Sequence, residues 1–96
     1  YCATKGAVNQ LVRTLGIEWA KYGITVNAIA PTFVETALTR DRLQRPAFRD
    51  FVLNKIPAGK LAQVEDVAAA AVYLASEEAG MVNGHILLVD GGWTAW

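Results

Sequence analysis

The stretch ITVNAIAP, residues 24–31, decides the architecture. Ile24, Val26, Ala28 and Ala30 alternate with Thr25, Asn27 and Ile29, so both faces of an extended segment are largely apolar, and Pro31 ends the run. A short strand that is apolar on both sides suits a parallel sheet, whose faces are both covered. Upstream, Val8, Leu11, Val12, Leu15 and Trp19 recur at spacings of three and four. That stripe predicts an amphipathic helix from Tyr1 to about Lys21, with Gly23 as its stop and Lys21 favourably placed in the last turn.

Downstream, the segment 32–60 changes character. Arg40, Asp41, Arg42, Arg45, Arg49, Asp50, Lys55 and Lys60 are interspersed with Phe33, Phe48, Phe51 and Leu53. Pro46 fits the first turn of a short helix running to about Lys55. A charged insertion at the carboxyl end of a strand is where an α/β protein places a substrate lid, and a solvated helical excursion is the plainer reading. Glu65 and Asp66 open a further helix, where acidic groups favour the dipole, and Val64, Val67, Ala68, Ala71, Val72 and Ala75 form its apolar stripe. HILLV, residues 85–89, reads as a second buried strand, and DGG, residues 90–92, as a turn.

Helix, strand, excursion, helix, strand is an α/β order. Two strands cannot form the central layer of such a domain. The pattern therefore predicts the C-terminal part of a doubly wound parallel sheet, two strands with their helices, whose N-terminal half is absent from these 96 residues.

Composition narrows the function classes. Apolar residues make up 53% and charged residues 19%, below an average of about 25%, which suits a piece whose faces are covered by more chain or by partner subunits. Nine basic and nine acidic residues cancel, so nothing favours nucleic acid or an anionic membrane. One cysteine and one histidine exclude an internal disulfide and a Cys/His zinc site, and no metal is expected. A reducing, cytoplasmic setting is the default, and no apolar run is long enough to span a bilayer.

Tyr1 and Lys5 stand at i and i+4, on one face of the first predicted helix. An ammonium beside a phenol favours the phenolate and lowers its pKa, which prepares a tyrosine to exchange a proton with a hydroxyl or carbonyl. The spacing alone is weak. It gains weight from the downstream segments ITVNAIAP, TFVET, IPAGKLAQVEDVAAAAVYLAS and NGHILLVDGG, which occur in that order.

Taken together, these motifs resemble the C-terminal portion of a short-chain dehydrogenase/reductase from the Tyr-x-x-x-Lys motif onward, over essentially the whole chain. The resemblance implies one Rossmann-like domain, of which residues 1–96 are the C-terminal part, with a mobile substrate loop at about 37–60. Tyr1 would be the general acid/base, and Lys5 would tune it and bind the nicotinamide ribose. Pro31, Thr32, Val34 and Thr36 would line an NAD or NADP cofactor. Phe33, Ala37 and Leu38 would belong to the substrate loop. The implied reaction is hydride transfer to or from a carbonyl or secondary alcohol of sugar-acid, polyol or 3-oxoacyl type, in a homotetramer. The alternative is an inert truncated chain that only packs against other subunits. The family's catalytic serine and glycine-rich turn precede the tyrosine and lie outside this sequence. Thr32, Ala62, Val64 and Asn83 stand where glycine, glycine, proline and threonine are usual, and Thr32 would narrow the approach to the nicotinamide.

The remaining candidates read as structural. Cys2 is a small packed residue, His85 has no second ligand, and Asn27 ties backbone. The Trp93–Trp96 tail packs either on its own subunit or at an interface.

Overall fold

A computed structural model describes residues 2–95. Helix α1 spans Cys2–Trp19 and continues as a 3-10 turn, Ala20–Tyr22. It stops where the sequence places the stop: Gly23 adopts φ 76°, in the left-handed region, and returns its N–H to the Ala20 carbonyl at 3.0 Å. Strand β1 is Ala28–Pro31, α2 is Arg40–Leu43, α3 is Pro46–Lys55, α4 is Val64–Ala75 and β2 is Ile86–Val89. A last 3-10 turn covers Trp93–Ala95.

The strands form one two-stranded sheet, order β1-β2. Ala28 N–H donates to the His85 carbonyl and Thr32 N–H to that of Val89. Four residues forward on one strand match four forward on the other, so the pair is parallel. Strand β1 starts later than the alternation predicts, because side chains replace the first rungs. The Val26 N–H donates to Asn83 Oδ1 at 3.0 Å, and Asn27 Nδ2 donates to the Val82 carbonyl at 2.9 Å.

Two compact units make up the chain, one running to Ile29 and including Ala70–Leu87, the other holding Ala30–Ala69 and the residues from Leu88. In the first unit the Asn83 carboxamide is the central tie. Its Nδ2 donates to the Gly16 carbonyl of α1 at 2.8 Å while its Oδ1 accepts from Val26. Asn27 secures the same corner, because its Oδ1 accepts the His85 N–H at 3.0 Å. Gly16 has no alternative there: a Cβ would stand 2.9 Å from Asn83 Oδ1 and 3.1 Å from Gly84 Cα.

The second unit holds a cluster of Leu43, Val52, Ile56 and Leu61, with Phe33, Phe48, Leu53 and Trp93 packed against it. Removing each such side chain from water contributes about 1.5–3 kcal/mol. Three of the four come from α2, α3 and the residue after it, inside the segment read as a charged excursion. Pro46 starts α3 as predicted. The DGG turn closes on this cluster with Gly91 at φ 61° and Gly92 at φ 98°. A side chain at Gly91 would meet Ile56 Cγ2 at 2.6 Å, so glycine lets the turn approach and receive the Ala58 N–H on the Gly91 carbonyl at 2.9 Å.

Helix α4 begins with a reciprocal cap: Asp66 Oδ2 accepts the Gln63 N–H at 2.8 Å and the Asp66 N–H returns to the Gln63 carbonyl at 3.0 Å. Its apolar stripe is in place, yet no residue of the helix is buried, and Val72 is 70% exposed.

Candidate active site

Parallel α/β sheets bind ligands beyond the carboxyl ends of their strands. Here those ends lead into 32–36 and 90–92. Phe33–Thr36 is strapped to residue 62 by backbone: Val34 and Ala62 form a parallel bridge, the Ala62 N–H donates to the Phe33 carbonyl at 3.2 Å, and the Glu35 N–H donates to the Ala62 carbonyl at 3.0 Å. Gln63 Nε2 adds a bond to Glu35 Oε2 at 3.3 Å. The Ala62 methyl is buried, so alanine in place of the usual glycine is accommodated by packing.

A knot of two threonines ends the strap. The Thr36 N–H donates to Thr39 Oγ1 at 3.0 Å, the Thr39 N–H donates to Thr36 Oγ1 at 3.3 Å, and the Thr39 hydroxyl donates to the Val34 carbonyl at 2.7 Å. The Arg40 N–H then donates to the Thr36 carbonyl at 2.9 Å and starts α2. Sequence reasoning misses Thr39, for which the available signal is the Thr-x-x-Thr spacing after a strand end. The knot leaves the Val34 carbonyl a second lone pair and fixes the Thr36 hydroxyl in one place. Both groups remain able to meet a nicotinamide amide or a phosphate, so the donor and acceptor set fits the implied cofactor.

Beside the same strand ends lies an open cleft of about 460 Å³, with Thr32, Lys60, Asp66 and Asp90 among its polar walls and Leu61 and Leu88 among its apolar ones. Asp90 is fully committed. Its Oδ2 accepts the Thr94 hydroxyl at 2.7 Å and the Thr94 N–H at 3.1 Å, and Oδ1 accepts the Gly92 N–H at 3.0 Å. The Thr94 hydroxyl, with the Gly92 amide next, holds the Asp90 carboxyl below the ordinary carboxylate value.

The predicted site residues fall in two places. Lys5 is an exposed residue in the first unit, on α1, and Tyr1 lies outside the described residues. Pro31, Thr32, Phe33, Val34 and Thr36 are consecutive or nearly so in the second unit. Phe33 is engaged in packing, its ring edge-on to Phe48 at 5.7 Å and tilted against Trp93 at 5.8 Å, whereas Ala37 and Leu38 point to solvent, Leu38 being 90% exposed. Trp93 thus packs on its own chain, and Trp96 lies outside the described residues. Among the described residues no cluster of metal-ligating side chains occurs, and no helix is long and apolar enough to cross a membrane.

The chain is similar to known proteins over essentially its whole length. A family model described as enoyl-(acyl carrier protein) reductase matches residues 1–94. Galactitol 2-dehydrogenase (L-tagatose-forming) of Cereibacter sphaeroides is 47% identical over 96 residues, which are 100% of this chain and 38% of that enzyme. A crystal structure of gluconate 5-dehydrogenase from Burkholderia cenocepacia, in complex with NADP and tartrate, superposes with TM-score 0.92 at 44% identity, covering 100% of this chain and 38% of the other. A 4-hydroxyisoleucine dehydrogenase complexed with NADH superposes with TM-score 0.95 at 29% identity, covering 100% and 40%. The chain therefore spans well under half the length of these relatives. It belongs to the short-chain dehydrogenase/reductase family.

Proposed function

We propose that residues 1–96 are the C-terminal part of a single short-chain dehydrogenase/reductase domain, from the Tyr1-x-x-x-Lys5 motif onward. The parent enzyme interconverts a secondary alcohol and a carbonyl on a sugar acid or polyol, using NAD or NADP. The observation that carries this reading is the match of the whole chain to a gluconate 5-dehydrogenase holding NADP and tartrate. The galactitol relative extends the substrate class to polyols, and the NADH-bound neighbour keeps both cofactors in play.

Bound nicotinamide supplies or accepts the hydride. The Tyr1 hydroxyl gives a proton to the forming alkoxide oxygen, or removes it in the reverse direction. Lys5 favours the phenolate through its ammonium charge, and so brings the tyrosine into a useful range near neutral pH. Pro31, Thr32, Val34 and Thr36 line the nicotinamide side, held by the strap to Ala62 and the Thr36–Thr39 knot. Phe33, Ala37 and Leu38 flank the substrate, Phe33 being set by its ring contacts. The enzyme works in the cytoplasm as a homotetramer, a reading supported by the single cysteine and by the apolar stripe of α4, no residue of which is fully buried among the described residues.

The test is a chimera. These 96 residues replace the matching part of the Burkholderia gluconate 5-dehydrogenase, and NADP reduction is followed with gluconate and with galactitol. The expected result is turnover, lost by about 10²-fold or more in the Tyr1→Phe chimera, with NADP affinity little changed. A chimera that folds and binds NADP but turns over no sugar acid or polyol would instead support the inert packing fragment.

A further inference from the structure

Asn83 and Gly84 form the one Asn-Gly step in the chain. The proposed chemistry makes no use of it, and its geometry is unusual in a way that bears on covalent chemistry. Glycine at position 84 is required by the backbone, which stands at φ 69°. The carboxamide at position 83 is required by the tie between Gly16 and Val26. The sequence therefore sets a side-chain amide next to the least hindered backbone nitrogen that can attack it.

We propose that Asn83–Gly84 is a conformationally gated deamidation site, sealed while α1, β1 and β2 are joined and open when they part. The reaction needs no partner but water. The Gly84 nitrogen attacks Asn83 Cγ, and a new N–C bond closes a five-membered imide. The Cγ–Nδ2 bond breaks, and ammonia leaves with the proton given up by the Gly84 amide. Water then opens either C–N bond of the imide, leaving an aspartyl or an isoaspartyl residue with no net oxidation or reduction.

Three hydrogen bonds oppose the first step. Asn83 Oδ1 accepts from Val26 at 3.0 Å and Nδ2 donates to Gly16 at 2.8 Å, so the side chain cannot swing toward its own backbone. The nucleophile is held as well, its N–H donating to the Val26 carbonyl at 2.8 Å. Water is not limiting, because Asn83 is exposed. The reaction thus waits on local opening, whose frequency the three bonds set together.

Once it has occurred the corner cannot reclose in the same form. An aspartate has no donor for the Gly16 carbonyl and sets a carboxylate oxygen against it. An isoaspartyl residue adds one main-chain carbon ahead of Gly84, two residues before the start of β2 and one before His85, whose carbonyl pairs with Ala28, and so displaces the register of β2.

The experiment compares the full-length chimera in native buffer and in denaturant at the same mildly alkaline pH. Peptide mass mapping and isoaspartyl methyltransferase labelling follow position 83, with Asn9, Asn27 and Asn54 as internal references. Deamidation at Asn83 is expected to be on the order of a hundredfold slower in the native arm. In denaturant it should outpace the three reference asparagines. Gly16→Ala, which crowds Asn83 Oδ1, is expected to raise the native rate and leave the denatured rate alone. Equal rates in both arms, or no preference for position 83 in denaturant, would overturn the proposal.

Discussion

The Asn83 side-chain amide donates to the Gly16 carbonyl at 2.8 Å, and a methyl group on Gly16 would stand 2.9 Å from the Asn83 oxygen. Each residue therefore fixes the size of the other. Gly16→Ala is expected to destabilise the fold by about 1–3 kcal/mol, because the nearest other atoms are the backbone of Gly84 and cannot move aside. Urea unfolding checks this, and an unchanged midpoint would mean that the corner yields to the added methyl.

Asn27 works as a two-ended connector, donating to Val82 and accepting from His85. Asn27→Asp keeps the acceptor and loses the donor, leaving a carboxylate against a carbonyl. The expected loss is about 1–3 kcal/mol, larger than that of an exposed charge change. Paired unfolding curves of the variant and the parent measure it.

Thr39 holds Val34 and Thr36 in place without belonging to the proposed cofactor contacts. Thr39→Val is expected to weaken NADP binding in the chimera by about 10-fold, as roughly one charge-free hydrogen bond at each of two groups is lost. Thr39→Ser should restore it. Calorimetric titration separates this from general unfolding, since a structural defect would not be rescued by the hydroxyl alone.

Asp90 gives a pH dependence with a definite sign. Its carboxyl is held below the ordinary value of 3.8, chiefly by the Thr94 hydroxyl. A carboxylate depressed on folding adds stability that is fully present above the unfolded value and is lost as pH falls through the folded one. The turn at 90–94 should therefore loosen only at pH below 3.8. Carboxyl titration by NMR is expected to show the Asp90 midpoint rising in Thr94→Val, and an unmoved midpoint would reassign the cause.

Leu43 is 1% exposed, on a helix of four residues. Leu43→Ala should cost about 2–5 kcal/mol through the cavity it leaves, measured by thermal or urea unfolding.

Residues that act locally are readable from the sequence. Gly23 stops α1, Pro46 starts α3, Glu65 and Asp66 open α4 and the two glycines turn after Asp90. Features that depend on distant partners are not. The alternation at 24–30 points to a longer strand, because nothing in it reveals that Asn83, more than fifty residues on, takes the place of the first rungs. The stripe of α4 reads correctly as apolar, yet the densest burial lies around Val52 and Ile56, in a segment that its charges mark as solvated. Arginines at 40, 42, 45 and 49 face water while their apolar neighbours turn inward. Of the site, the line from Pro31 to Thr36 is legible as a strand end, and the threonine knot that stiffens it is not.

The contact between Trp93 and Phe33 has an optical consequence. The indole packs against the apolar cluster of the second unit, and it touches the residue two positions after Pro31. Its emission is a resident reporter on that segment, blue-shifted while Phe33 is docked and red-shifted when it swings away. The other two tryptophans, Trp19 and Trp96, are removed from the signal by replacing both with phenylalanine. Ordering of the strand end can then be watched as a colour change, with no label attached to the chain.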